Sequence, residues 1–466
     1  MAEAGVVAAA YAAETVAEGA AVGAFAVAKS TTPLRVKFYK LPSPNRRLTR
    51  SCHTLTVVKG KAYIFGGDVW GQDGGDVVVH AITLPSDLEL KDIDYQSIPP
   101  AAAPARPLAN YGDNPGSSSE RQKNAVPVPR AAHTAAAVDS TIYIFGGRPP
   151  SSTAASALNE QGTVHAFDAT DKTWSTLTPH PTRCSSGIPC PRTHASTSST
   201  PHPQSSGDHG TVFLHGGYDA AGKLLRDVWA FDVASRIWSR WLDIPSAGAE
   251  EIEGEGTIIC TESRLWRCGD GFGKVVYLDL VRDAIDDFSG VGELGVSPKT
   301  GNWQTVSFGP ITVSGEGSQD DDVEAKISRP GMHLAEAYPL PRIGAGFVPM
   351  TTGAGREYLL FFMGQEGRGI VMGDVWSFQI RSDKRTPAML KDGVRRMVGM
   401  HTGEQTWAKA DVVQSTKEDG PLELPNGLSR FGCGPLQDFG RAAVVLWGGI
   451  TQGADVVGDG WIMVAD

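Results

Sequence analysis

The sequence predicts an all-β protein built from six copies of one strand-rich module, preceded by a short N-terminal α-helical segment. Three observations point there. A short pattern of apolar runs ending in Gly-Gly returns along most of the chain. Gly (55) and Pro (30) together make up about 18% of the residues, above the average of roughly 12%, with no Gly-X-Y period, which favours a turn-dense β protein over collagen. Hydrophobic residues are 41% of 466, ample for a buried core.

Four copies of the module are clear. Arg50-x-x-His53-Thr54 leads to Ala62-Tyr63-Ile64-Phe65-Gly66-Gly67. Arg130-x-x-His133-Thr134 leads to Ile142-Tyr143-Ile144-Phe145-Gly146-Gly147. In the third copy His194 follows Arg192 by two residues instead of three, ahead of Val212-Phe213-Leu214-His215-Gly216-Gly217. In another, Arg430-Phe431-Gly432 precedes Val444-Val445-Leu446-Trp447-Gly448-Gly449. A third apolar run and an aromatic follow, as in Asp227-Val228-Trp229-Ala230-Phe231-Asp232 with Trp238 and Val164-His165-Ala166-Phe167-Asp168 with Trp174. Runs of four to six β-branched and aromatic residues between turn formers read as strands. The Gly-Gly ends the second strand where positive φ and close backbone packing are needed.

Two weaker copies fill the gap. One runs through Thr257-Ile258-Ile259-Cys260, Arg264 to Gly269, Val275 to Asp279 and Trp303. The other starts at Arg342-Ile343-Gly344 and continues through Leu359 to Gly364, Asp374-Val375-Trp376-Ser377-Phe378 and Trp407.

These segments resemble the kelch repeat, on the Arg-x-x-His start, the Tyr-Ile-Phe-Gly-Gly and the later Asp-Val-Trp…Trp. The resemblance spans roughly residues 34–466 and implies a β-propeller of four-stranded blades, here a six-bladed kelch-type β-propeller over residues 30–466. The last copy stops at its third strand, Gly460 to Asp466, whereas Leu34-Arg35-Val36-Lys37-Phe38-Tyr39-Lys40-Leu41 alternates like an outer strand ahead of the first copy. Pairing of the two closes the ring and removes two free sheet edges. About 73 residues are available per blade, against roughly 50 in a kelch repeat, so the surplus lies in loops.

Residues 1–29 are Ala- and Val-rich with Glu3, Glu14 and Glu18, and the first basic residue is Lys29. That lacks the basic start of a secretory signal and the arginines of a transit peptide, and a spanning helix would bury two glutamates. Residues 5–28 read as a helix packed on the rest of a cytoplasmic protein. With 42 Lys+Arg against 52 Asp+Glu the net charge is −10, which argues against a nucleic-acid or anionic-membrane binder. Cys52, Cys184, Cys190, Cys260, Cys268 and Cys433 form no CxxC pair or zinc pattern, so reduced thiols are expected, although Cys184 and Cys190 are close enough in sequence to bridge.

Strand order puts the insertions at about 100–128, 148–161 and about 308–340 on one face of the ring. The basic insertion Arg381 to Gly403 and the N-terminal helix fall on the other. On the first face, Arg50, Arg130, Arg192, Arg342 and Arg430 each precede an innermost strand. In some kelch propellers the matching arginines line the axial mouth and grip acidic peptides, and the resemblance implies a ligand-binding ring here, since guanidinium forks suit carboxylates. Glu253 and Glu255 stand near the start of the fourth blade and make the ring lopsided. The repeated His53, His133 and His194 suit a blade-stabilising hydrogen bond, and Trp174, Trp229, Trp238, Trp303, Trp376 and Trp407 suit core or inter-blade packing.

Enzymes exist on this architecture. No copper-radical set of the galactose-oxidase type can be assigned. The nearest match to an iron site of the form Glu-x3-Asp-x3-His is Glu316-x3-Asp320-x3-Glu324, with Glu in place of His. No nucleophile elbow, phosphate loop or HExxH occurs. The expectation is a monomeric, non-enzymatic interaction scaffold, without cofactor or metal, presenting the arginine-lined mouth to an acidic peptide or loop. The alternative is an isomerase or lyase that takes a small anionic substrate at the same mouth, with the acidic loop offering oxygen ligands to a metal.

Overall fold

The structure is a computed structural model of the 466-residue chain. It describes residues 33–72, 74–85, 93–103, 126–152, 156–200, 210–244, 255–269, 273–282, 296–299, 301–306, 338–353, 355–367, 369–381, 386–397, 399, 402–413, 425–436 and 442–465. The expected N-terminal helix, most of the insertions at 100–128 and 308–340, Glu253 and the Glu316–Glu324 motif lie outside these residues.

Six antiparallel sheets follow one another in chain order. Blade 1 is Thr54–Val58, Lys61–Phe65, Val79–Thr83 and Tyr95–Ile98. Blade 2 is Thr134–Val138, Thr141–Phe145, Val164–Asp168 and Thr173–Leu177. Blade 3 is Ser196–Ser199, Thr211–His215, Val228–Asp232 and Ile237–Arg240. Blade 4 is Thr257–Cys260, Arg264–Cys268, Val275–Arg282 and Gln304–Val306, with Val296–Pro298 pairing the extended end of its third strand. Blade 5 is Gly346–Thr351, Glu357–Phe362, Val375–Ile380 and Trp407–Lys409. Blade 6 takes Gly432–Leu436, Ala442–Trp447 and Gly460–Ala465 from the end of the chain and Arg35–Leu41 from its beginning.

The closure has the expected register: Val36 opposes Ala465 and Leu41 opposes Gly460, antiparallel. The alternation that marked this strand is its burial pattern, with Val36, Phe38 and Leu41 buried. Asp411–Val412, just after the outer strand of blade 5, adds a short parallel pairing to Arg35 and Val36.

Each pair of neighbouring blades encloses one apolar cluster, from Ile64 and Trp447 between blades 1 and 6 to Phe378 and Trp266 between blades 5 and 4. The late tryptophans lock adjacent blades. Trp238 Nε1 donates to the Gly162 carbonyl of blade 2, Trp303 Nε1 to Leu242 at the end of blade 3, and Trp407 Nε1 to Gly273 of blade 4. Such bonds satisfy the one polar atom of a large apolar side chain. The turns after the third strands are set by Asp168 and Asp232, whose Oδ1 atoms accept backbone N–H groups two or three residues on, the usual Asx device.

The Gly-Gly has two separate roles. At Gly66 (φ +64) a Cβ would meet the Arg130 carbonyl and the His133 ring of the next blade; at Gly67 (φ +92) it would meet Ser51 and His53 of its own blade. Neither position admits a side chain.

One element was not expected. The basic insertion between the third and fourth strands of blade 5 contains an α-helix, Pro387–Met397. Thr386 Oγ1 accepts the Met389 N–H with Pro387 in the first turn, a standard helix start. Among the described residues no helix is long and apolar enough to cross a membrane.

Candidate functional site at the axial mouth

The innermost strands begin around an axial cavity of about 230 Å³. Four residues from each blade line it: 52–55, 132–135, 194–197 and 430–433, with 255–258 and most of 344–347 from the weaker copies. Hydroxyl groups stitch its wall. Thr134 Oγ1 and Thr197 Oγ1 are 2.7 Å apart, Thr54 Oγ1 lies 2.9 Å from His133 Nε2, and Ser196 Oγ accepts the Ile258 N–H.

The structure corrects the arginine ring. Arg50, Arg130, Arg192 and Arg342 are 0–1% exposed, and their guanidiniums are occupied inside their own blades. In each, Nη1 donates to the carbonyl that ends the second strand (Gly66, Gly146, Gly216 or Met363), and Nε donates two or three residues back along the chain. Each also meets a carboxylate: Asp76 at 3.5 Å, Glu160 at 2.7 Å, Asp227 at 2.7 Å and Asp374 at 2.6 Å. Buried charges require such partners, so these four act as staples within their own blades.

The acid completing each staple escaped the sequence reading, as did a third member. At the second residue of the third strand, His80 and His165 contact Arg50 and Arg130. At the same position in other blades Trp229 and Trp376 donate Nε1–H to Asp227 and Asp374. Burial pushes these carboxyls up, but the arginine hydrogen bonds and charges outweigh it. Glu160 is held down to about 2, and Asp227 and Asp374 are also lowered.

Arg430 is different because its register differs. The staple position precedes the innermost strand by four residues: Arg50 to Thr54, Arg130 to Thr134, Arg192 to Ser196 and Arg342 to Gly346. Four residues before Gly432 stands Leu428, which is buried. Its carbonyl takes the Gly364 N–H, just as the Arg130 carbonyl takes that of Gly67. The acid expected there, Asp459, pairs instead with Lys40 at 3.6 Å.

Arg430 therefore matches Cys52, Ala132, His194 and Gly344. All five have positive φ, between 54° and 60°, a conformation that strains a non-glycine residue. A ring of backbone bonds accompanies it. Cys52 N–H donates to the Arg430 carbonyl, Ala132 to Cys52, His194 to Ala132, and Arg430 to Gly344, all at 2.8–2.9 Å. At blade 4 the pattern changes, and the Gly344 N–H donates to the Glu255 carboxylate at 3.1 Å. The offset of His194 has the same explanation: it occupies this ring position, and Ala195 stands where His53 and His133 do.

Four side chains thus converge on the axis. Arg430 Nη1 lies 2.8 Å from His194 Nε2 and 3.9 Å from Cys52 Sγ, and Glu255 Oε1 is 3.9 Å from His194 Nδ1. Burial would lower the Arg430 pKa, but the Glu255 charge together with smaller contributions from Cys52 and Tyr218 outweighs it, and the pKa is raised. Burial raises Glu255 despite Arg430 and raises the Cys52 thiol. Burial, then the charges of Arg430 and Arg148, bring His194 down to about 3. Arg430 is the fixed positive charge of the mouth. Above it, Arg148 and Asp68 of adjoining loops pair at 2.6 Å, and Trp70, two residues past Asp68, is 64% exposed.

His53 and His133 are buried wall residues. Burial, and behind it the Arg50 charge, brings His53 down to about 3, and His133 is lowered well below its usual value by burial and Arg130. A base depressed on folding stays neutral in the native state but takes up a proton when unfolded. Its stabilisation is complete above about pH 6.5 and declines as pH falls toward 3. Thermal melts are expected to show a lower Tm at pH 5 than at pH 7.5; equal values would show that these rings are not buried neutral. Glu160 adds a further loss from its ordinary value, about 4.5, down to about 2.

Among the described residues no group of three or more His, Cys, Asp or Glu is placed to hold a metal ion. The six cysteines are free, so Cys184 and Cys190 are not bridged.

A family model described as the KLHDC2/KLHL20/DRC7 Kelch-repeats domain matches residues 116–283, which include blades 2 and 3 and most of blade 4. Kelch repeats thus make up this part of the ring. A stretch of 116 residues, 25% of the chain, is 34% identical to the dynein alpha chain of the flagellar outer arm of Chlamydomonas reinhardtii, and the match spans 2% of that protein. A solved structure titled "Structure of YjhT" aligns over 90% of this chain and 95% of its own, at 14% identity and a TM-score of 0.46. Kelch propellers generally serve as protein-interaction scaffolds, and this chain has that architecture.

Proposed function

We propose that this kelch propeller is an interaction scaffold whose docking place is the axial mouth, with Arg430 meeting a carboxylate of an acidic partner segment. One contrast carries the reading. Arg50, Arg130, Arg192 and Arg342 are saturated by partners within their blades, whereas the hydrogen bonds of Arg430 among the described residues involve Nη1 alone, leaving Nε and Nη2 for a ligand. Two parallel N–H donors suit a carboxylate. Trp70 offers an exposed aromatic on the blade 1 loop that carries Asp68, of the kind that anchors protein interfaces.

The test is fluorescence anisotropy with a labelled glutamate-rich peptide. Arg430→Gln is expected to weaken binding by about tenfold or more, and added salt should weaken the wild type. Arg240→Gln, which removes an exposed charge at the edge of blade 3, should leave the affinity unchanged. Equal affinity of the wild type and Arg430→Gln overturns the reading.

A further inference from the structure

The helix Pro387–Met397 interrupts a connection that blades 2 and 3 make with four residues, 169–172 and 233–236. One side is fixed. Asp392 is buried, and its carboxylate accepts Arg356 Nη2 at 2.6 Å, Arg395 Nη1 at 3.2 Å and Gln379 Nε2 of the third strand at 3.2 Å. The other side carries Leu390, Val394 and Met397, which are 67%, 46% and 86% exposed. Their spacing of four and then three is the seam that receives a second helix, and Lys391 and Arg396 flank it. Isolated surface apolar residues are ordinary, but a seam at helix-packing spacing on an inserted element is not.

We infer that this seam is covered by the chain's own residues 5–28. Three observations favour that occupant. Residues 1–28 carry Glu3, Glu14 and Glu18 and no Lys or Arg, opposite in sign to the flanks of the seam. The described chain begins beside the same blade, since the Asp411 N–H donates to the Leu34 carbonyl at 2.8 Å and Asp411 follows the outer strand of blade 5. The reach is also sufficient. Met397 lies 14 residues from Asp411, at most about 50 Å, and a helix over 5–28 of about 36 Å joined to Leu34 by residues 29–33, at most about 17 Å, reaches that far.

The test compares the full chain with one starting at residue 31 and adds a synthetic peptide of residues 1–30 in trans, reading hydrogen exchange of amides 387–397. Removing the segment is expected to speed exchange at least fivefold, and the peptide to restore protection. In the full chain, L390E/M397E is expected to speed exchange across residues 5–28; this variant keeps the test valid should the truncated chain fold poorly. Unchanged exchange in truncated and substituted chains overturns the proposal. So does protection that depends on protein concentration and disappears with L390E, since the occupant would then be a second copy. Neither result bears on the Arg430 site.

Discussion

A variant lacking residues 33–41 is expected to lose the native fold at room temperature. The deleted strand buries Leu34, Val36, Phe38 and Leu41, which are 0–6% exposed. At about 1.5–3 kcal/mol for each buried side chain, roughly 6–12 kcal/mol would go, comparable to the whole stability of an ordinary protein at 5–15 kcal/mol. The deletion also frees the third strand of blade 6, Gly460–Ala465, as an unpaired edge. Far-UV circular dichroism on heating is the measurement. A deletion variant that melts cooperatively at the wild-type temperature would show that the ring does not depend on this closure.

Arg192→Ala is expected to destabilise by about 3–5 kcal/mol, the range for breaking a buried pair from one side. The guanidinium holds Asp227 through two bonds, at 2.7 and 2.9 Å, and satisfies the carbonyls of Gly216 and Cys190. Removal leaves Asp227, 13% exposed, with the Trp229 indole as its remaining side-chain donor among the described residues, and leaves two carbonyls short of a donor. Chemical denaturation should show a lower midpoint with an unchanged slope. A change below about 0.5 kcal/mol, typical of a surface substitution, would contradict the staple.

Most of the ring was legible in the sequence because its rules are local. Phe65-Gly66-Gly67 and Phe145-Gly146-Gly147 mark where a second strand ends against the next blade, and the alternation of Val36, Phe38 and Leu41 marked the closing strand. The candidate site was less legible because it depends on register. Arg430 looked like a fifth copy of Arg130, yet counting four residues back from the strand, as Arg50 stands before Thr54, reaches Leu428. The same count would have separated His194 from His53 and His133. The staple acids Asp76 and Glu160 lie in loops of different length, so no fixed spacing reveals them. The helix inserted in blade 5 reads as a charged run in the sequence because Asp392 and Arg395, two of its charges, are turned inward and paired.

Photo-crosslinking locates the proposed docking place at the axial mouth. A glutamate-rich peptide carrying a photoreactive group would be irradiated on the wild-type propeller and the attachment points mapped by mass spectrometry. Attachment is expected at 52–55, 194–197 and 430–433 and on the loop bearing Trp70. Attachment confined to the outer strands or to the helix Pro387–Met397 would contradict it.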